Sequence, residues 1–151
     1  IHFADSLKFY TLRKHRVVYG GGGIMPDYFV PLDTMTYTKY HRQLVAKNVI
    51  TDVVLRYIDN NRKQLKKLYS SFAKFDKEYT VPQSVIDDIR KTGEKKDVKP
   101  KDDEELNRTM PYLSNQLKAL VARDIWDMDE YFHIINETSD IVKKGISLFK
   151  E

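Results

Sequence analysis

Cysteine is absent from the 151-residue sequence, and tryptophan occurs only once. Without cysteine the chain has neither disulfides nor thiolate chemistry. Cysteine content therefore does not indicate whether the chain resides in an oxidising or a reducing compartment. Apolar runs are short, and none reaches the roughly 18 residues that a membrane-spanning helix needs. The sequence begins at Ile1 and shows no basic-then-apolar leader. We therefore expect a processed product or a piece of a longer protein, with any export signal outside it.

Histidine is sparse, and the four histidines are scattered at positions 2, 15, 41 and 133. No two of them have the i, i+4 spacing that presents two imidazoles to one metal ion from a single helix. The acidic run Asp102-Asp103-Glu104-Glu105 lacks the Asx-Gly turn of a calcium loop. It is better suited to the positive end of a helix dipole. The sequence therefore predicts no metal site and no cofactor.

A recognisable catalytic motif is also missing. No serine stands in the Gly-x-Ser-x-Gly turn that exposes the nucleophile of many hydrolases. Asp27 lies beside a glycine run, where a turn aspartate that caps backbone N–H groups is a better interpretation than a general base. We expect the 151-residue chain by itself to be catalytically inactive.

The charge of the chain is modestly positive, +4 from 26 basic and 22 acidic side chains. A nucleic-acid-binding protein usually concentrates lysine and arginine on one stripe. Here residues 90–105, the most highly charged stretch, mix both signs. We interpret this stretch as solvated, with a mobile loop at residues 91–101, and expect no nucleic-acid partner.

The first 31 residues are predicted to be strands and turns. Short β-prone runs occupy residues 7–12, 16–19 and 28–30. From residue 37 the apolar pattern changes to a 3.6-residue period that continues to residue 58. This period predicts one long amphipathic helix, with Asp33, Thr34 or Thr36 as its N-cap.

Further apolar faces predict additional helices along the rest of the chain. One spans residues 65–72, and another has Pro82 in its first turn and ends near Gly93. A third follows the acidic run and contains Pro111, which should kink the helix or mark its true start. Two more are predicted over residues 128–135 and 141–149. The sequence therefore predicts a mainly α fold, a bundle of five or six helices over residues 32–151, with a small N-terminal β fragment of two or three short strands over residues 1–31.

Four consecutive glycines, Gly20 to Gly23, are the most unusual local feature. Glycine loses more backbone freedom on folding than any other residue, so the run indicates a sharp bend or a close backbone approach. A Walker loop would continue with Gly-Lys-Ser or Gly-Lys-Thr, and a dinucleotide fingerprint would have its third glycine at Met25. Neither requirement is met, and nucleotide binding is not expected.

The glycine run belongs to a longer pattern that resembles the end of the catalytic domain in carboxy-terminal processing (tail-specific) serine peptidases. The matching segments are Phe9-Tyr10-Thr11, Arg16-Val17-Val18-Tyr19, Gly20 to Gly23 and Ile24-Met25-Pro26-Asp27. The positions that carry the family motif are Arg16, Gly20, Gly21, Gly22, Gly23, Ile24, Pro26 and Asp27. One position departs from the family, because His15 stands where a glycine usually precedes the arginine. If the turn needs a positive φ there, His15 adopts it at some cost.

The resemblance implies a function for the parent protein. Family members use a serine nucleophile, a lysine base and a PDZ domain, all of which precede the glycine-rich segment, so the catalytic residues are expected upstream of Ile1. Residues 1–31 would then be the closing β segment of the protease core, and residues 32–151 a C-terminal helical domain. The implied partners are protein substrates and the parent's own protease core, and the implied location is the periplasm of the bacterial cell envelope. Cut from its sheet, the 1–31 segment is expected to self-associate or to be poorly ordered.

A second hypothesis remains open. The chain would be a stand-alone helical protein-interaction domain without enzymatic activity, and its glycine run would be a simple linker. The two hypotheses differ on whether a serine and a lysine in protease context precede Ile1.

Overall fold

A computed structural model describes residues 5–21, 28–31 and 37–149. The chain divides into two compact units, residues Ile1–Pro31 and Leu32–Glu151. Within the described residues the first unit contains a short 3-10 helix and two strands, and the second contains seven α-helices. The mainly α prediction is confirmed, although the helices outnumber the five or six expected. Among the helices that are described, none combines the length and apolarity needed to cross a bilayer.

The first unit is an antiparallel hairpin of β1 (Lys8–Tyr10) and β2 (Val17–Tyr19). Its register pairs Lys8 with Tyr19, Phe9 with Val18 and Tyr10 with Val17. Two of the three predicted strands therefore form. The prediction of a third strand at residues 28–30 is wrong, because these residues form a bend and irregular backbone.

The second unit begins with two helices where one was predicted. Helix α1 (Lys39–Ala46) ends at Lys47, and α2 (Val49–Leu68) starts after Asn48, whose φ of 54° is left-handed. Asparagine tolerates this conformation better than most residues, and it breaks the helix without disturbing the apolar period. The N-cap of α1 is Thr38, whose hydroxyl accepts the His41 N–H, and not one of the predicted residues 33, 34 and 36, which lie outside the described part.

A second predicted helix, over residues 65–72, is also divided. Helix α2 ends at Leu68, and α3 (Phe72–Glu78) starts after Ser71, whose hydroxyl accepts the Lys74 N–H and caps the new helix. A capping serine competes with helix continuation because its side chain satisfies an N–H group that would otherwise need a helical carbonyl.

Helix α4 (Gln83–Lys95) has Pro82 as its N-cap and passes through Gly93. The mobile loop predicted at residues 91–101 is therefore wrong over its first half, and Val98 within its second half is only 1% exposed. Helix α5 (Asp103–Ile125) begins after Asp102, which caps the Glu105 N–H. Pro111 lies inside α5 and does not mark its start.

The last two helices are α6 (Met128–Thr138) and α7 (Asp140–Leu148). Ser139 is both the C-cap of α6 and the N-cap of α7. Helix α5 packs against α1, α2 and α6, while α2 also packs against α4. The centre of this core consists of fully buried side chains from α1 to α6, among them Leu44, Ile58, Phe75, Ile89, Leu113, Leu117 and Ile134. Helix α7 contributes no buried residue and contacts α6.

Candidate functional site

The hairpin carries the described part of the family motif. Beyond the ladder, the Thr11 N–H donates to the Arg16 carbonyl at 2.9 Å, and the Arg16 N–H donates to the Thr11 hydroxyl at 3.0 Å. These bonds close the turn between the strands. His15 within that turn has φ of 46°. The turn therefore has a positive φ at the position where the peptidase family usually has glycine, and here a histidine adopts it.

Two glycines of the motif are described: Gly20 lies close to the Phe9 side chain of β1, and Gly21 lies close to the side chain of Leu7, just before β1. The Gly20 N–H donates to the Leu7 carbonyl at 2.8 Å. A Cβ at Gly20 would lie 2.9 Å from the Phe9 ring. Gly21 has φ of +90°, a conformation that side chains with a Cβ rarely adopt. The remaining motif residues Gly22, Gly23, Ile24, Pro26 and Asp27 lie outside the described residues.

Both faces of the hairpin carry exposed apolar side chains. Alternate strand residues point to opposite faces. The pair Phe9 and Val18 therefore occupies one face, and Tyr10 and Val17 the other. All four are exposed, from 41% for Val17 to 59% for Tyr10. An isolated two-stranded hairpin is at best marginally stable in water.

The helical unit contains a buried polar centre between α1 and α5. The Thr38 and Thr109 hydroxyls are 2.7 Å apart, and His41 Nε2 lies 2.8 Å from Gln116 Oε1. Glu105, 9% exposed, accepts the backbone N–H groups of Lys101 and Tyr40. The Lys101 bond contributes most to lowering the pKa of this carboxyl. Every polar group in this centre holds a helix end or a helix pair, which indicates a structural role.

A groove of about 560 Å³ lies between α2 and the α3–α4 connection. Tyrosine rings form one part of its lining, and the Tyr79 hydroxyl donates to the Tyr57 hydroxyl at 3.4 Å. Burial is the largest of the causes that raise the pKa of Tyr79, so this phenol stays neutral and can donate hydrogen bonds. Other lining groups are the amide and charged side chains Arg56, Asn60, Asn61, Gln64 and Asp88.

Two serines have a lysine three residues later: Ser71 with Lys74, and Ser147 with Lys150. In some hydrolases this spacing brings a nucleophile to its base. Here the Ser71 hydroxyl caps α3 and the Lys74 ammonium donates to the Leu68 carbonyl at 2.9 Å. The Ser147 hydroxyl donates to the Lys144 carbonyl, and Lys150 lies outside the described residues. Ser71 and Ser147 therefore both have roles within the helices.

One cluster in the described residues has side chains that are able to hold a metal ion. It joins Asp76 of α3 to His133 and Glu137 of α6. Sequence reasoning searched for pairs of histidines and missed it. The i, i+4 spacing of His133 and Glu137 was a readable signal, whereas the approach of Asp76 depends on tertiary packing.

Residues 40–127, more than half of the chain, match a protein family of unknown function (DUF8443). The chain belongs to this family. The DUF8443 segment runs from α1 to the N-cap of α6, so it contains the groove and all of the buried polar centre except Thr38. The hairpin, His133 and Glu137 lie outside it. No curated protein and no solved structure matches the chain.

Proposed function

We propose that the chain is the C-terminal, non-catalytic portion of a serine endopeptidase that processes exported proteins near their C-termini. In this proposal the nucleophilic serine and the lysine base precede Ile1, and residues 1–31 close the sheet of the protease core. The helical unit serves substrate access or assembly. The parent enzyme acts in the bacterial cell envelope, in the periplasm.

The observation that carries the proposal is the two-sided apolar hairpin. Val18 and Tyr10 belong to opposite faces, and both are exposed. Strands that are apolar on both sides occur in sheets covered on both faces. A larger sheet that continues this hairpin would satisfy its open edges and cover its side chains. The same residues resemble the end of a peptidase core, and the sheet of that core is one that could continue the hairpin.

The helical unit is suited to an accessory role because it has its own core. Its polar centre is occupied by helix-capping contacts, so the groove beside α2 is the better candidate for contact with another molecule. Phenol and amide groups along the groove can hydrogen-bond to the backbone of a protein ligand. Protein partners also fit the mixed charge of the chain better than nucleic acid does.

The test is a pair of matched substitutions in the full-length parent enzyme. Val18 in β2 and Val45 in α1 are 44% and 46% exposed, so Val18→Lys and Val45→Lys remove similar apolar surface from the two units. We expect Val18→Lys to lower peptide hydrolysis roughly tenfold or more, because a lysine in a covered sheet face is an unpaired buried charge. Val45→Lys should leave hydrolysis close to that of the parent.

The same two variants of the 151-residue chain provide the control. In both variants the helical unit should still be folded and should unfold cooperatively. Val18→Lys should in addition reduce any self-association through residues 1–31. Full activity of the Val18→Lys parent enzyme would contradict the proposal.

The groove also supports a second candidate function, a stand-alone helical protein-interaction domain without enzymatic activity. Under that alternative, deletion of residues 1–31 leaves partner binding intact, and no serine peptidase sequence precedes Ile1.

A further inference from the structure

Three potential metal ligands from two helices converge on one point of the helical unit. His133 and Glu137 are four residues apart on α6, and their Nε2 and Oε1 atoms are 3.5 Å apart. Asp76 reaches them from α3, with Oδ2 at 3.8 Å from His133 Nε2. All three ligand atoms lie within 4.8 Å of one another.

The separations of 3.5 and 3.8 Å from His133 Nε2 are close to those of a tetrahedral zinc site. With Zn–N and Zn–O bonds of about 2.0–2.2 Å, neighbouring ligand atoms of a tetrahedron are roughly 3.3 Å apart. Small side-chain rotations would bring His133 Nε2 and the two carboxylate oxygens to that spacing. The side chains of His133 and Glu137 are each 55% exposed, so water can reach the fourth position.

The chemistry of the donor set selects among metals. Calcium and magnesium prefer oxygen ligands throughout, whereas an imidazole beside carboxylates suits zinc and similar transition metals. Three protein ligands with one solvent position form an open zinc site.

Neighbouring side chains orient two of the ligands. Asp76 uses Oδ1 for an ion pair with Lys118 Nζ at 2.8 Å, which leaves Oδ2 directed toward His133. The Lys118 ammonium also donates to the Asp76 backbone carbonyl, so two contacts hold it beside Asp76. The Phe72 ring packs edge-on against the His133 ring, with centroids 5.2 Å apart. Such outer contacts fix the direction of metal ligands.

We propose that Asp76, His133 and Glu137 bind one Zn²⁺ ion and that the bound ion links α3 to α6. The site is independent of the peptidase proposal, because it lies within the helical unit and uses no residue of the hairpin. Lys118 offsets part of the negative charge of the cluster, and the ion lies between His133 and the two carboxylates.

The test is calorimetric titration of the untagged 151-residue chain with ZnCl2, together with thermal unfolding with and without zinc. The informative variants are His133→Gln and Glu137→Gln, since both residues are exposed and neither substitution removes the Asp76–Lys118 pair. The controls are Asp129→Asn, which removes another carboxylate of α6, and His15→Asn, which removes a histidine of the hairpin while tolerating its positive φ. Circular dichroism confirms that each variant is folded.

We expect one zinc ion per chain and a higher unfolding temperature with zinc. Each ligand variant should bind more than about tenfold more weakly, since even the loss of a supporting residue around a metal site costs roughly 10- to 100-fold. The controls should bind as the unchanged chain does. Absence of binding at millimolar zinc, or equal binding by His133→Gln, would overturn the proposal. Calcium binding that does not depend on His133 would contradict the assignment to zinc.

Discussion

Glu105 in the first turn of α5 accepts the backbone N–H of Tyr40 in the first turn of α1, with 3.0 Å between Oε1 and N. Its second oxygen accepts the Lys101 N–H at 2.7 Å. The first N–H groups of a helix have no partner within the helix. One buried carboxylate therefore accepts N–H groups from the start of α1 and from the residues just before α5. It joins two helices through a contact between residues 65 positions apart in the chain.

The first prediction concerns the pH dependence of this contact. Hydrogen bonds from backbone N–H groups, chiefly that of Lys101, lower the pKa of Glu105 from 4.5. A lowered pKa in the folded state adds stability that is fully present above the unfolded value and is lost as pH falls through the folded value. Glu105→Gln should lower the free energy of unfolding by about 2 kcal/mol at neutral pH.

Urea denaturation across pH checks this prediction. The difference between the unchanged chain and Glu105→Gln should shrink as pH falls below 4.5. Glu104→Gln, at the exposed neighbouring position, should have little effect at either end of the range. A difference that stays constant down to pH 3 would argue against an ionised Glu105 as the cause.

The second prediction compares two helical glycines. A Cβ at Gly145 in α7 would meet no atom within 4 Å, so Gly145→Ala should stabilise α7 by roughly 0.5–1 kcal/mol through helix propensity. A Cβ at Gly93 in α4 would lie 3.1 Å from both the Leu44 side chain and the Val98 carbonyl. Gly93→Ala should therefore destabilise the helical unit by about 1–3 kcal/mol through overpacking.

Two measurements separate these effects. Amide hydrogen exchange along α7 should slow in Gly145→Ala, and the urea midpoint of the whole unit should fall in Gly93→Ala. Equal and favourable responses of both variants would show that the loop after α4 does not pack as described.

The third prediction concerns the break between α1 and α2. Asn48 has φ of 54°, so Asn48→Val should cost about 1–2 kcal/mol, while Asn48→Gly should be nearly neutral. Asn60→Val, a similar change inside α2, is the matched control and should cost less. Chemical denaturation of the three variants measures the difference. A cost for Asn48→Val no larger than that of Asn60→Val would contradict the left-handed junction.

The apolar period predicted helices well because it reports which face is buried, but it is insensitive to where one helix ends. The apolar residues at 44, 45, 49 and 50 continue the period across Asn48. Only the tolerance of asparagine for left-handed backbone indicates that a helix ends there. Likewise, the apolar period did not predict that Ser71 caps a new helix, and the structure was needed to identify this cap. At the hairpin, the sequence indicated a close backbone approach at the glycines, and the Phe9 ring lies against Gly20.

The Asp76–His133–Glu137 cluster could be predicted only in part from the sequence. The His133–Glu137 pair is a local helical relationship and could have been found from its spacing. Asp76 and Lys118 come to it through the packing of α3 against the rest of the helical unit, which one sequence does not reveal. The same holds for the contact of Glu105 with Tyr40.

The central claim is that the reactive serine belongs to polypeptide ahead of the hairpin, and labelling with a fluorophosphonate probe tests it most directly. The full-length parent and the 151-residue chain are treated in parallel and the modified residue is located by mass spectrometry. The account predicts a single labelled serine upstream of Ile1 in the parent and no labelled serine in the 151-residue chain. Specific labelling of any serine between residues 1 and 151, or a parent that carries no reactive serine, would contradict it.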